Sequence, residues 1–259
     1  MNLEGAAVIV TGSGTGLGAA VAKRLSSKGA RVVINYSRSE AEARATVEAC
    51  QKLGAETLLC RADVSVDDDC RRMASETIAK WGRIDGLVNN AGQTVFASDA
   101  DLDTLSADDF LGIYSVNVVG PYQMSRAVAP QMKAQGRGAI VNVSSISGIT
   151  GSGSSIAYAA SKGALNTLTL SLARALGPEI RVNAVCPGMM QGRWWRDALG
   201  EERYGSLVGQ FADSAPLKAT GTPEAVAEPV VWLLEGAEHM TGQNFIVDGG
   251  MHLVGYEPM

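Results

Sequence analysis

Short runs of β-branched and other apolar residues recur along the chain without polar alternation, and nearly every run is followed by a stretch with apolar residues at helical spacing. The first is Ala6-Ala7-Val8-Ile9-Val10-Thr11; Leu17 to Lys28 then places Leu17, Val21 and Leu25 on one helical face. Gly29 ends that helix, Arg31-Val32-Val33-Ile34-Asn35 forms a second strand, and residues 40–53 carry the next helical pattern. Further strands are expected at 57–60, 86–89, 138–143, 181–185 and 244–247. Strands that are apolar throughout belong in a sheet covered by helices on both faces, which is the doubly wound parallel α/β arrangement. With no low-complexity linker and no repeat, one domain over 1–259 is expected, and the least regular stretch, 189–216, reads as a lid on the substrate side.

Composition removes several alternatives. The chain has 22 basic and 27 acidic residues, a net charge of −5, so it offers no basic field for nucleic acid. Cys50, Cys60, Cys70 and Cys186 form no CxxC pair, and the histidines, His239 and His252, are remote from them, so no metal site is expected. Met1-Asn2-Leu3-Glu4 is not the basic start of an export signal, and no apolar run approaches membrane-spanning length, so the expectation is a soluble, cytoplasmic protein. Asp99-x-Asp101-x-Asp103 opens like a calcium loop but continues with Thr104 and Phe110 where Gly and Glu are needed. No G-x-S-x-G elbow occurs, which disfavours a serine hydrolase.

Gly12-Ser13-Gly14-Thr15-Gly16-Leu17-Gly18 lies between the first strand and first helix. Backbone without Cβ atoms can approach a pyrophosphate there, and the helix N-terminus favours its charge. A G-x-G-x-x-G reading from Gly12 fails at Leu17; from Gly14 it ends on Ala19, which the pattern tolerates. At the end of the second strand, where an acidic residue would accept from a ribose 2′-hydroxyl, stand Tyr36, Ser37 and Arg38, a set better suited to a 2′-phosphate and hence to NADP(H) over NAD(H). Tyr158 and Lys162 are four residues apart on one face of an expected helix over 157–176, and a neighbouring ammonium should bring a phenol below its ordinary value of about 10.

Read as Thr11-Gly12-x-x-x-Gly16-x-Gly18, the glycine cluster resembles the cofactor loop of the short-chain dehydrogenase/reductase family. Asp63-Val64, Asn89-Asn90-Ala91-Gly92 and Pro187-Gly188 match further motifs of that family in order and spacing, from about Gly5 to Gly250. The resemblance implies a Rossmann-type sheet and a hydride transfer between a nicotinamide and a ketone or secondary alcohol. It implies that Tyr158 is the general acid or base, Lys162 its cation, Ser145 a hydrogen-bond partner of the substrate oxygen, and Asn117 the holder of a water against the lysine. Asp63 and Val64 would meet the adenine, Asn90, Ala91 and Gly92 the cofactor, and Pro187, Gly188 and Met190 the nicotinamide side. Gly192 stands where the family often has a threonine for the carboxamide; Gln191 or the backbone of 189–192 is the expected substitute.

Ile146, Met189, Trp194 and Trp195 are candidates for a pocket that selects a bulky or aromatic substrate. A 3-oxoacyl thioester reductase is the nearest alternative, with Arg126, Lys133, Arg137 and Arg174 as a local docking patch for an acidic carrier. A non-catalytic nucleotide-binding regulator is a rival of a different class, as is a nucleotide-sugar epimerase, for which the chain after Pro187 is short. The C-terminal segment through Asp248-Gly249-Gly250 resembles that of the simple reductases, which implies a homo-oligomer, most simply a tetramer.

Overall fold

The computed structural model describes residues 1–254. Seven strands, β1 (Ala7–Val10), β2 (Arg31–Tyr36), β3 (Thr57–Arg61), β4 (Gly86–Asn89), β5 (Gly138–Val143), β6 (Ile180–Pro187) and β7 (Asn244–Val247), form one sheet in the order β3-β2-β1-β4-β5-β6-β7. Every neighbouring pair is parallel. The strand order reverses at β1, and in open α/β sheets the crevice beyond the strand ends at such a point is where ligands bind.

The helices are α1 (Gly16–Ser26), α2 (Glu40–Lys52), α3 (Asp67–Trp81), α4 (Ala107–Tyr114), α5 (Gly120–Ala134), α6 (Ser147–Thr150), α7 (Ile156–Leu176), α8 (Arg193–Leu199), α9 (Glu201–Ser214) and α10 (Pro223–Glu235). Successive residues of a strand point to opposite faces, and here both faces are apolar. Val8, Val10, Val32 and Ile34 pack with α1, α2 and α10, while Ile9, Val33, Leu87 and Ile140 pack with α3, α5 and α7. That is the physical reason the strands lack polar alternation.

Residues 189–216, the stretch of least regular pattern, are largely helical: α8 and α9 account for most of it. α9 lays Tyr204 and Leu207 into a small separate cluster with Ile146, Met189, Ala215 and Met251, while α8 has no buried residue. Two short amphipathic helices broken by Gly200, at φ +75°, blur the single period a longer helix would have shown. Asp99, Asp101 and Asp103 belong to a loop with a 3₁₀ turn at Leu102–Thr104, where the Asp101 carboxylate accepts from the Asp103 amide.

Candidate active site

A cleft of about 1240 Å³ runs across the carboxyl ends of the strands. Its nucleotide end begins at the turn after β1. Gly12 is at φ +61°, and a Cβ there would sit 2.9 Å from the Ala91 Cα, so the glycine loop and the segment after β4 touch backbone to backbone. Thr11 secures this contact: its Oγ1 accepts from the amides of Asn90 (2.9 Å) and Ala91 (3.0 Å). The Asn90 amide returns bonds to the carbonyls of Thr11 (2.9 Å) and Gly12 (3.0 Å).

Gly12, Gly14, Thr15, Gly16 and Leu17 line the cleft, whereas Ser13 and Gly18 do not. Ser13 is buried, donating to the Val10 carbonyl and accepting from the Asn35 amide, so it ties the loop to β2. Gly18 lies behind the loop, where a Cβ would meet the Gly12 carbonyl oxygen and Asn90 Nδ2 at 2.5 Å. These two residues, expected at the cofactor, instead shape the loop from behind. α1 begins at the cleft with no side-chain cap and no acidic residue in its first turn. Its leading amides therefore suit a pyrophosphate, which supplies the missing acceptors and the negative charge the helix end favours.

Tyr36, Ser37, Arg38, Asp63 and Val64 line the same end of the cleft, and Asn90, Ala91, Gly92, Pro187, Gly188, Met189 and Met190 its middle. Gly188 has a structural reason beside any ligand contact, because a Cβ there would lie 2.6 Å from that of Asp248. Gln191, the candidate substitute for the missing threonine, donates its side-chain amide to Thr220 Oγ1 at 3.0 Å.

The polar centre is assembled from β5 and α7. Ser144 and Ser145 follow β5 and both border the cleft; Ser144 is buried and donates to the Lys162 carbonyl, whereas Ser145, the one the family spacing selects, is half-buried. Ser145 Oγ is held by Ser147, donating to its hydroxyl at 3.0 Å and accepting from its amide at 3.1 Å. Ser155 caps α7 by accepting from the Tyr158 amide, and one helical turn carries Tyr158 and Lys162 to the same wall.

Their electrostatics differ from the expectation. The Tyr158 phenol is pushed up to about 12, chiefly by desolvation, with an opposing hydrogen bond from Ser145. Lys162 is lowered to about 8, again by desolvation first. Its Nζ donates to the Val143 carbonyl at 2.9 Å and lies 5.6 Å from the Tyr158 ring centroid, so burial of both groups outweighs their proximity.

Asn117 is fully buried on the π-helical turn Ser115–Val119, behind the cleft wall. Its Oδ1 accepts from the Gln93 amide at 2.8 Å, and its Nδ2 donates to the Gln93 carbonyl and to Ser161 Oγ. Both amide protons are thus taken by protein, and the side chain braces the strand-end segment against α7.

At the far end, Ile146, Met189, Trp194 and Trp195 line the cleft with Phe96 and Phe211. The Trp195 and Phe96 rings meet edge to face at 5.2 Å, as do Trp194 and Tyr158 at 6.0 Å. Phe96 and Arg193, also on the wall, had no motif to mark them, and nor did Arg61 in a recess that continues from the nucleotide end. The register Tyr36↔Arg61 is the sequence-distant signal that places Arg61 beside the second strand's end. Among the described residues no group of three or more His, Cys, Asp or Glu side chains could hold a metal ion, and no helix is long and apolar enough to cross a membrane.

A family model described as enoyl-(acyl carrier protein) reductase matches residues 12–252. A Streptomyces violaceoruber protein named as ketoacyl reductase 2 of the granaticin polyketide synthase is 40% identical over 251 residues, which cover 97% of this chain and 98% of that one. A solved structure from Burkholderia xenovorans, described as a short-chain dehydrogenase/reductase, superposes with a TM-score of 0.89 at 40% identity, covering 96% of this chain and 99% of the other. NAD⁺-bound xylitol dehydrogenase gives 0.88 at 30% identity, covering 96% and 100%. With this sheet, this cleft and these relatives, the chain belongs to the short-chain dehydrogenase/reductase family, oxidoreductases that act on CH–OH and C=O groups with NAD(P).

Proposed function

We propose that this protein is an NADP(H)-preferring reductase of a bulky or aromatic ketone, reversible as a secondary-alcohol dehydrogenase. The observation that carries this reading is the meeting of Ser145, Tyr158 and Lys162 on one wall of a cleft whose other end holds the uncapped start of α1. A bound nicotinamide supplies or accepts the hydride at the substrate carbon. The chain's own residues handle the oxygen. Ser145 donates a hydrogen bond to it, and Tyr158, protonated throughout the neutral range, delivers the proton as hydride reaches the carbon; the alcohol's oxidation runs the same path backwards. Lys162 stabilises the phenolate left behind, and Asn117, its side chain fixed by Gln93 and Ser161, holds a water against the lysine.

In this reading Gly12, Gly14, Thr15, Gly16 and Leu17 hold the pyrophosphate, Asp63 and Val64 the adenine, Asn90, Ala91 and Gly92 the middle of the cofactor, and Pro187, Gly188 and Met190 its nicotinamide side, with Ser13 and Gly18 shaping the loop. Tyr36 occupies the place of an acidic residue while Ser37 and Arg38 stand exposed at the rim, which supports NADP(H). The aromatic wall of Trp194, Trp195, Phe96 and Phe211, with Ile146 and Met189, supports a large apolar substrate. The fold is read as one Rossmann-type domain with 189–216 as its lid. Exposed Leu111, Val119 and Tyr122 on one side, and Trp232 and Ile246 on another, suit two interfaces of a homotetramer; a monomer by light scattering removes that assignment. Four buried, unpaired cysteines fit the reducing cytoplasm.

A 3-oxoacyl thioester reductase is the second reading, favoured by the relative named for ketoacyl reduction. The basic docking patch it needs is weakened, because Arg126 is tied to Asp67 at 2.6 Å. The deciding experiment follows NADPH and, separately, NADH absorbance against aryl ketones, diketones and 3-oxoacyl thioesters, with Tyr158→Phe as control. Fastest NADPH-linked turnover on a bulky ketone supports the first reading, and fastest turnover on the thioester supports the second. Tight nucleotide binding without turnover on any of them favours a regulator.

A further inference from the structure

The recess beyond the nucleotide end, about 250 Å³, is lined by Ser37, Arg38, Arg61, Ala62, Asp63 and Asp69. It shares Ser37, Arg38, Ala62 and Asp63 with the main cleft, so the two are continuous. Resting on the NADP(H) reading above, we infer that Arg61 is a second specificity-determining residue, closing with Arg38 on the 2′-phosphate from the neighbouring strand.

Three observations support it. Arg61 ends β3, the edge strand, directly in register with Tyr36, which ends β2, so it borders the place where the adenosine ribose would lie. Its carbonyl accepts from the Arg72 guanidinium at 2.8 Å, which anchors the backbone that carries it. Finally, among the described residues neither the Arg38 nor the Arg61 guanidinium has a hydrogen-bond or ion-pair partner, although both are exposed beside acids.

The acids are engaged elsewhere. Glu40 is held by Arg44 at 2.6 Å, and Asp69 by Arg72 at 2.7 Å and by the Asp63 amide at 2.8 Å. Asp63 accepts from the Ser65 amide and hydroxyl. Arg44 keeps the Glu40 carboxyl ionised, and the Asp63 amide and Arg72 keep that of Asp69, with the positive field of Arg61 the smallest contribution to each. Two planar cations with no ion pair among the described residues, at the mouth of one recess, match a phosphate dianion, which accepts several charge-assisted hydrogen bonds at once.

The test titrates adenosine 2′,5′-bisphosphate and adenosine 5′-monophosphate into the wild type, Arg38→Ala, Arg61→Ala and the double variant at fixed salt, by calorimetry. The wild type should prefer the bisphosphate by at least about tenfold, each single change should reduce that ratio by roughly five- to tenfold, and the double change should abolish it. Arg61→Lys should recover part of the ratio, because charge returns without the planar fork. A wild-type ratio retained by Arg61→Ala and lost by Arg38→Ala overturns the role of Arg61 and leaves the NADP(H) reading standing. No preference in the wild type overturns both.

Discussion

The two ends of the cleft are built differently. At the nucleotide end backbone packs on backbone: Gly12 against Ala91, Gly18 against the Gly12 carbonyl, with Thr11 and Asn90 exchanging hydrogen bonds between the two segments. At the substrate end side chains meet at their edges. Trp195 leans on Phe96 and Trp194 on Tyr158, α8 buries nothing, and its link to the nucleotide half is an ion pair of Arg193 with Glu42 at 2.9 Å. At the first end Gly12 and Gly18 leave no room for a side chain. The second can change residues and shape while the catalytic wall stays put, which is how one fold serves many substrates.

Changes at the catalytic wall, where the two ends meet, should have the largest effect. Tyr158→Phe removes the proton donor and should lower turnover by about 10²–10⁴-fold while nucleotide affinity, measured by fluorescence titration, stays close to wild type. An equal loss of affinity would mean that the phenol serves binding first.

Lys162 sharpens the contrast through pH. The unfolded lysine holds its proton up to about 10.5, the folded one only up to about 8, so between these values the unfolded state binds more protons and rising pH stabilises the fold. The buried thiols of Cys60, Cys70 and Cys186, held protonated past their ordinary value, oppose this above about pH 9. The lysine's share is therefore the difference between two urea-unfolding profiles: wild type should gain on Lys162→Met by up to roughly 3 kcal/mol across that window. A constant difference between wild type and Lys162→Met across the window would show that Lys162 keeps an ordinary pKa.

Glycine substitutions compare the ends directly. Gly18→Ala forces a Cβ onto atoms 2.5 Å away and should cost about 1–3 kcal/mol of stability by thermal or chemical unfolding. Gly192→Ala meets nothing within 4 Å and extends a φ of 170°, so a change below about 0.5 kcal/mol is expected. Equal costs would erase the distinction between a packed end and an open one.

The smallest effect belongs to the ion pair. Arg193 and Glu42 are both about half exposed, so Arg193→Ala should alter stability by less than about 1 kcal/mol. Stopped-flow release of NADPH should nonetheless quicken, because the pair joins the helix over the cleft to α2, whose Thr46 bonds the Gly14 carbonyl. Unchanged release would mean that the pair does not restrain α8.

Sequence disclosed a good deal of this. Strand runs at 86–89, 138–143 and 244–247 coincide with β4, β5 and β7, because apolar β-branched residues bounded by turns have few other uses in a sheet covered on both sides. Tyr158 and Lys162 were paired by helical period alone, and the structure brings them to one wall with Ser145. Phe96, Arg61 and Arg193 were not legible, since each reaches the cleft from a loop, an edge strand or a helix start with no local pattern.

The order of apolar runs, glycines and helical periods thus determined a parallel sheet with a phosphate-sized turn at its centre, because those choices rest on local backbone sterics and on which faces must leave water. Tertiary structure decided the rest. That Ser13, Gly18 and Asn117 stand behind the wall, and that Arg61 lies beside Tyr36, depends on contacts between segments distant in the chain. So do the opposite shifts of Tyr158 and Lys162, because desolvation is set by everything packed around a group and no spacing along the chain encodes it.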